Sequence, residues 1–446
     1  MIANKGKYFL KYYPQHMILL SLIVSICLGT LLLALPISRV EDVPLIDLFF
    51  TSASLTTVTG LMTVPIEHFT NFGHGVMLCL MQLGGLGLMT LSLVFIYTFS
   101  NLGIYTQVIA SEVLSLKSFK DTKHTLFFII KLTAITELLG AIIIFPTMYQ
   151  TYPFKKAVFL SIFHSVASFC NAGFSLFPDR MLEYNHNPLM IFTTMILMIV
   201  GGLGFVTWHE LSKKFILRNS SPVCISWHTK LVLRMYLFTS VTVSILFWMI
   251  ERNHTLAHMP FFQKMYVVMF TGIAMKSTGF ALISFSTVHL ATLVLCMVSM
   301  FIGSAPLSTG SGIKTSVFAI YLGVIKAAIQ GKRQALLYGR QIVDDQVYKA
   351  MAIIALSLSW IVIITFCLLI TEPKWEFIDI LFGTVAAFCN NGTFIGAIEL
   401  LTSLGKCFII LSMIIGRIGA LALILSMKRI SEQREISYPK EHVILG

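Results

Sequence analysis

Thr56-Thr57-Val58-Thr59-Gly60-Leu61 decides how this chain is read. It is a short polar interruption between two apolar segments, and its Thr-Val-Thr-Gly run has the composition of a turn that lines a narrow cation pore with backbone carbonyl oxygens. Glycine belongs there because it takes φ > 0 without a steric penalty, letting successive carbonyls face one way. One such turn cannot enclose an ion, so the remaining walls must come from elsewhere in the chain.

Composition sets the class. Of 446 residues 56% are hydrophobic and only 12% charged, and the mean hydropathy is +0.84, which places the chain among polytopic membrane proteins. The formal charge of +12 is spread over short segments between apolar runs rather than gathered beside aromatics, so it reads as a topology signal and not as a nucleic-acid surface. Eight cysteines, scattered and mostly in apolar surroundings, give no disulfide or metal pattern. Lys5, Lys7 and Lys11 precede the first apolar run, but no small-residue cleavage site follows it, and the run is read as a first membrane helix rather than a signal peptide.

Apolar stretches of membrane length are expected at 15–35, 76–97, 125–148, 189–206, 231–250, 289–324, 350–370 and 406–427, eight in all. Inside each consecutive pair lies a semi-apolar segment too short to cross, at 45–54, 157–168, 263–274 and 377–388, followed by a glycine turn. The four turns end on Gly60, Gly173, Gly279 and Gly392, spaced by 113, 106 and 113 residues. A second set of glycines, Gly84, Gly201, Gly303 and Gly416, keeps the same phase, 24, 28, 24 and 24 residues on. Glycines in membrane helices commonly serve close packing, but two registers repeating together mark an internal repeat. The expected architecture is an all-α polytopic membrane protein of four helix–pore-loop–helix repeats in pseudo-fourfold arrangement around one pore. It has eight transmembrane helices and four re-entrant pore helices. The repeats are 1–100 (filter loop 56–61), 101–211 (filter loop 169–175), 212–330 (filter loop 275–281, with a broken helix and gating loop at 303–314) and 331–446 (filter loop 388–394, with a C-terminal tail). Segments that begin the chain, end it or join repeats carry 19 Lys and Arg, against about 8 in the other loops. Both termini are therefore expected in the cytoplasm, with the glycine turns at the outer face.

This pattern resembles a superfamily of potassium transporters, the bacterial Ktr and Trk membrane subunits and the plant HKT proteins, and most of all the Ktr-type (KtrB/KtrD-like) membrane subunit. The resemblance spans essentially the whole chain. It is carried by Thr57-Val58-Thr59-Gly60-Leu61, Asn171-Ala172-Gly173-Phe174-Ser175-Leu176, Lys276 three residues before Gly279-Phe280, Ser311-Gly312-Ile313-Lys314, and Gly416-Arg417-Ile418-Gly419. It implies a potassium-conducting subunit working as a homodimer on a cytoplasmic ring of nucleotide-binding regulatory subunits. In that superfamily a serine at the first-loop glycine tends to accompany sodium selectivity; here all four positions are glycine. The fourth turn, Cys389-Asn390-Asn391-Gly392-Thr393, departs from the Ktr pattern of a small or β-branched residue there, and Pro306 departs from the small residues usual in the gating loop.

The candidate ion ligands, through backbone carbonyls, are Thr57, Val58, Thr59, Gly60, Asn171, Ala172, Gly173, Ser277, Thr278, Gly279, Asn390, Asn391 and Gly392. For the asparagines, bracing of the turns competes with direct ion contact. Lys276, whose charge would repel a cation in the pore, is expected to point behind the filter to an acid or to helix carbonyls as a filter support, with simple snorkelling as the alternative. The stretch Gly303, Ser304, Ala305, Pro306, Leu307, Ser308, Thr309, Gly310, Ser311 and Gly312 cannot continue a helix, and irregular backbone at membrane depth belongs where it is buried or lines a cavity. It is the candidate gate. Arg417 sits about 16 Å into the bilayer from the basic end at Lys428, and is expected to hold that loop by its carbonyls or hydroxyls. Glu137, a second intramembrane charge, is open between a structural hydrogen bond and a transport role. No phosphate loop, dinucleotide fingerprint or catalytic cluster occurs, so no cofactor is expected beyond transported K+. A sodium transporter or sodium–potassium symporter on the same architecture, and more remotely a polytopic membrane enzyme, are the rival readings.

Overall fold

A computed structural model describes residues 14–98, 120–177, 181–216, 225–332, 334–396 and 398–419. Lys5, Lys7 and Lys11, most of the 101–124 loop, the far end of the 406–427 span and the tail from 420 lie outside the described residues.

The chain runs α1 (Pro14–Ala34), α2 (Leu45–Thr57) and α3 (Asn71–Thr98), then α4 (Lys120–Tyr149), α5 (Phe154–Phe169), α6 (Pro188–Gly202) and α7 (Phe205–Ile216). It continues with α8 (Trp227–Glu251), α9 (Phe261–Ala274), α10 (Leu290–Ile302) and α11 (Thr315–Ile329), and ends with α12 (Asp344–Thr371), α13 (Phe377–Phe388) and α14 (Ser403–Ile418). A two-stranded hairpin, β1 (Leu336–Leu337) with β2 (Arg340–Gln341), lies between α11 and α12 and pairs Leu336 with Gln341. A long first helix, a short helix of 12–16 residues ending in a glycine turn, and a further helix thus occur in order four times, with α2, α5, α9 and α13 as the short middle members.

Three short helices start at a proline, Pro44, Pro153 and Pro260, whose carbonyl accepts the first helical bond; Glu376 fills the place in the fourth. Proline's fixed φ suits the residue that turns a chain into a helix. In three repeats the short helix packs between the flanking helices of its own repeat, α2 against α1 and α3, α5 against α4 and α6, α13 against α12 and α14, while in the third α9 packs on α8. The helix after the turn in each repeat also packs on the short helix of the next: α3 on α5, α6 on α9, α10 on α13, and α14 back on α2. That last contact closes the four repeats into a ring.

The outer faces of the long helices carry bare apolar side chains, among them Leu138, Ile142, Leu237, Val362 and Phe366, while the inner faces build a large core, a second one where the first and fourth repeats meet, and a small one around Met235. A surface of this kind is stable against hydrocarbon, not water. Phe127–Tyr149 of α4, and α8 and α12 throughout, are long and apolar enough to cross a membrane unaided.

The expected single span at 189–206 is corrected. Its helix ends at Gly202, and α7 leaves at 98° to α6. The reason is local: Gly201, Gly202 and Gly204 bracket Leu203, Gly204 stands at φ +85, and the freed backbone finds partners in the 303–314 break of the third repeat.

Candidate functional site

The four glycine turns meet at one place. A Cβ added to Gly60, itself at φ +96, would lie 3.1 Å from the Cα atoms of both Gly173 and Gly392. Gly173 in turn abuts Thr278 and Gly279, and Gly279 abuts Gly392. The contacts run 60–173–279–392 and return to 60, so the turns form a closed ring in chain order with no room for a side chain at the glycine positions.

Three turns are built alike. Val58, Asn171 and Asn390 adopt positive φ, and the amides of Thr59, Ala172 and Asn391 donate to carbonyls five residues back, at Ser54, Ala167 and Ala386, each over 2.8 Å. A left-handed residue just past a helix is an ordinary C-terminal cap, which asparagine tolerates well. The third turn differs: Thr278 N–H donates only four residues back, to Ala274 (2.9 Å), and Ser277 does not take positive φ.

Side chains stitch the turns together. Asn390 Nδ2 donates to Thr59 Oγ1 (2.8 Å), joining the fourth turn to the first, and Asn391 Nδ2 to the Met275 carbonyl (3.3 Å), joining it to the third. Asn171 Oδ1 accepts from Thr278 Oγ1 (2.8 Å), joining the second turn to the third. Asn171 and Asn391 thus have both side-chain atoms engaged by neighbouring protein, whereas Asn390 is held through Nδ2 alone and its buried Oδ1 has no protein partner. Lys276 projects away from the ring, and its Nζ donates to the Tyr236 carbonyl and Thr239 Oγ1, both 2.7 Å, while sitting 3.7 Å from the centre of the Tyr236 ring. Of the two partners open from sequence, an acid or a carbonyl, it takes the carbonyl.

The in-phase glycines have a common purpose that the sequence did not reveal. Gly84, Gly201 and Gly416 press against the carbonyls of Thr56, Phe169 and Phe388, the equivalent position four residues before each ring glycine. In these three repeats any larger residue would push the long helix off its own turn. Gly303 is the exception, because its helix stops there and it packs on Ser311 and Gly312 instead.

Below the ring, residues 303–314 leave helical geometry, with positive φ at Gly303, Leu307, Gly312 and Lys314. Most of the segment is buried, and it is bonded from every side. Ala305 and Thr309 amides donate to the Gly202 (3.0 Å) and Gly201 (3.1 Å) carbonyls at the bend of the second repeat, and Phe205 N–H donates back to Leu307 (2.9 Å). Thr309 Oγ1 donates to the Phe169 carbonyl (3.1 Å) and accepts from Asn171 Nδ2 (2.8 Å). Ser277 Oγ accepts from the Ser311 amide (3.0 Å). Arg417 donates to the Thr309 carbonyl (2.6 Å) and Ser311 Oγ (3.1 Å), and reaches the Gly84 carbonyl as well. The segment is therefore tied to two of the glycine turns, directly to the second repeat, and through Arg417 to the fourth and first. Lys314, which sequence reasoning quoted but gave no role, donates to the Gly310 carbonyl (2.6 Å). Glu137 accepts from Gln82 Nε2 (3.3 Å), linking the first and second repeats behind Cys170.

A family model described as TrkH, cation transport protein, matches residues 20–438. The chain belongs to this family. Among TrkH-family relatives, Ktr system potassium uptake protein B of Bacillus subtilis is 32% identical over 442 residues, 98% of each chain. The protein of the same description from Vibrio alginolyticus is 32% identical over 97% of this chain and 94% of its own length. Potassium/sodium uptake protein NtpJ of Enterococcus hirae is 31% identical over 97% of both. The crystal structure of the potassium transporter TrkH from Vibrio parahaemolyticus superimposes with a TM-score of 0.71 over 93% of this chain and 84% of that one, at 17% identity, and so speaks to the fold. Membership in the TrkH family makes the chain a cation transporter and disposes of the membrane-enzyme alternative.

Proposed function

We propose that the chain is the ion-conducting membrane subunit of a Ktr-type potassium uptake system. The observation that carries this is the closed ring of four glycine turns, one from each of the repeats 1–100, 101–211, 212–330 and 331–446, standing over a buried loop pinned by Arg417. In this reading potassium sheds its water to backbone carbonyls of 57–60, 171–173, 277–279 and 390–392, favoured by the negative ends of four short helices that converge on the ring. Residues 303–312 with Arg417 form the gate, and Lys276 braces the third wall from behind. The termini lie in the cytoplasm of a plasma-membrane protein. Two copies pair, and a cytoplasmic ring of nucleotide-binding regulatory subunits moves the gate, as the Ktr naming of the relatives suggests.

A mixed potassium and sodium transporter is favoured by the relative named for both ions and by the odd third turn. The two readings separate in a strain lacking its own potassium uptake. Rubidium uptake that saturates and resists excess sodium supports the first, sodium uptake at a comparable rate supports the second, and uptake of neither with the chain in the membrane defeats both. Gly60→Ala, which puts a Cβ between Gly173 and Gly392, is expected to abolish uptake while leaving membrane insertion intact.

A further inference from the structure

At the filter end of the third repeat, three metal-type donors converge from two segments. Glu251 is the last residue of α8, His254 lies in the turn that follows, and His289 is the N-cap residue of α10. One ligand atom from each lies within 4.8 Å of the others, His254 Nδ1 is 3.2 Å from Glu251 Oε2, and the two imidazole rings stand 4.2 Å apart. Glu251 is wholly buried, whereas both histidines are exposed.

Glu251 alone has an ordinary explanation. Its carboxylate accepts from the His289 amide (2.9 Å) and Thr292 Oγ1, capping the start of α10. The fourth repeat uses the same device: Glu372, just past α12, accepts from the amide (3.0 Å) and hydroxyl of Thr402, the N-cap of α14. The histidines are what the fourth repeat lacks. The position three after its glutamate is Trp375, and its N-cap is Thr402 itself. Helix capping therefore accounts for the acid, and a hydrogen bond to it accounts for His254, but neither gives a reason for the His289 ring to stand against that of His254.

We infer that Glu251, His254 and His289 form a surface site for a transition-metal ion of the zinc type. Two imidazoles and a carboxylate oxygen are a donor set suited to Zn2+ and unsuited to alkali or alkaline-earth ions. Bonds of about 2.0–2.2 Å bring donors to about 3.4 Å from one another, a short closing movement for two exposed side chains from the spacing found here. Three protein ligands leave the remaining positions to water. Thr292 and Thr255 already hydrogen-bond the carboxylate and would hold it in place as an outer shell. Bound metal would clamp the turn after α8 to the first turn of α10, the helix that runs directly into the 303–314 break.

The test uses the full chain purified in detergent, without a polyhistidine tag and stripped by chelator. Co2+ is titrated by visible absorption and then displaced by Zn2+. The expected result is one Zn2+-displaceable Co2+ per chain, with His254→Gln and His289→Gln each weakening it at least about 10-fold, since loss of even an outer-shell partner typically costs that much. The double variant should lose it, and Zn2+ should raise the melting temperature of the parent but not of the double variant. Equal affinity in parent and double variant, or no Co2+ bound by the parent, overturns the site. Because the readout is metal binding, a failure here is separate from failure of the transport reading, which rubidium uptake decides.

Discussion

Lys276 carries its amine into the protein interior, three residues from a ring glycine. It is stable there because the Tyr236 carbonyl, Thr239 Oγ1 and the face of the Tyr236 ring replace its water. Lys276→Gln keeps a donor but shortens the reach, stranding at least one of these acceptors. The expected outcome is a loss of about 1–3 kcal/mol of stability, seen as a lower melting temperature in detergent, with weaker discrimination of rubidium from sodium. Unchanged melting and discrimination would remove the bracing role. The placement behind the ring was legible from sequence, because a cation in a cation pore repels its cargo. The partner was not, because carbonyls carry no sequence signature. The asparagines teach the same lesson from the other side: bracing and ion contact both fitted the sequence, and the positions of Thr59, Thr278 and Met275 show the side chains bracing the turns while leaving Asn390 Oδ1 without a protein partner.

The short helices and the broken tenth helix were readable because length, hydropathy and a run of proline, glycine and serine each leave a mark. The bend after α6 was not, since hydropathy is blind to direction and Gly201 and Gly202 read equally well as packing glycines. The hairpin was missed too: its two-residue turn places both Tyr338 (φ 45) and Gly339 (φ 77) in the left-handed region without the Asn-Gly signal that usually announces it. The bend and the break prove to be one unit, joined through Gly201, Gly202, Phe205 and residues 305–309, so a change in either moves both. Arg417 locks that unit from the opposite side. Hydrogen bonds to a charged donor contribute about 1.5–3 kcal/mol each, so Arg417→Gln should shift the closed-to-open ratio roughly tenfold or more. Rubidium uptake is expected to rise and to lose its dependence on regulatory partners, and deletion of 304–311 should do so further. Wild-type flux in both variants, with normal amounts in the membrane, would rule out a gate.

For the whole molecule, the ring depends on a seam between its first and last repeats. Lys406 Nζ meets Asp47 Oδ1, which also accepts from Thr63 Oγ1 (2.6 Å), and both charged side chains are about nine-tenths buried. Breaking a buried pair from one side leaves a bare charge and costs about 3–5 kcal/mol, whereas replacing both members with apolar residues of similar volume is close to neutral. Asp47→Leu should therefore lower the melting temperature sharply, and Asp47→Leu with Lys406→Met should restore most of it. A double variant as unstable as the single one would mean the seam rests on something else. Sequence periodicity foretold four repeats and their shared axis, but nothing in it singled out these two residues, which stand 359 positions apart. That separation bears on biosynthesis. When the ribosome has delivered α2, Asp47 lacks its partner Lys406, which arrives only with α14. Until then the nascent chain is an open arc whose free edge carries Asp47 without its lysine, and chains stopped before Ser403 are expected to be recognised by membrane proteases as unfinished.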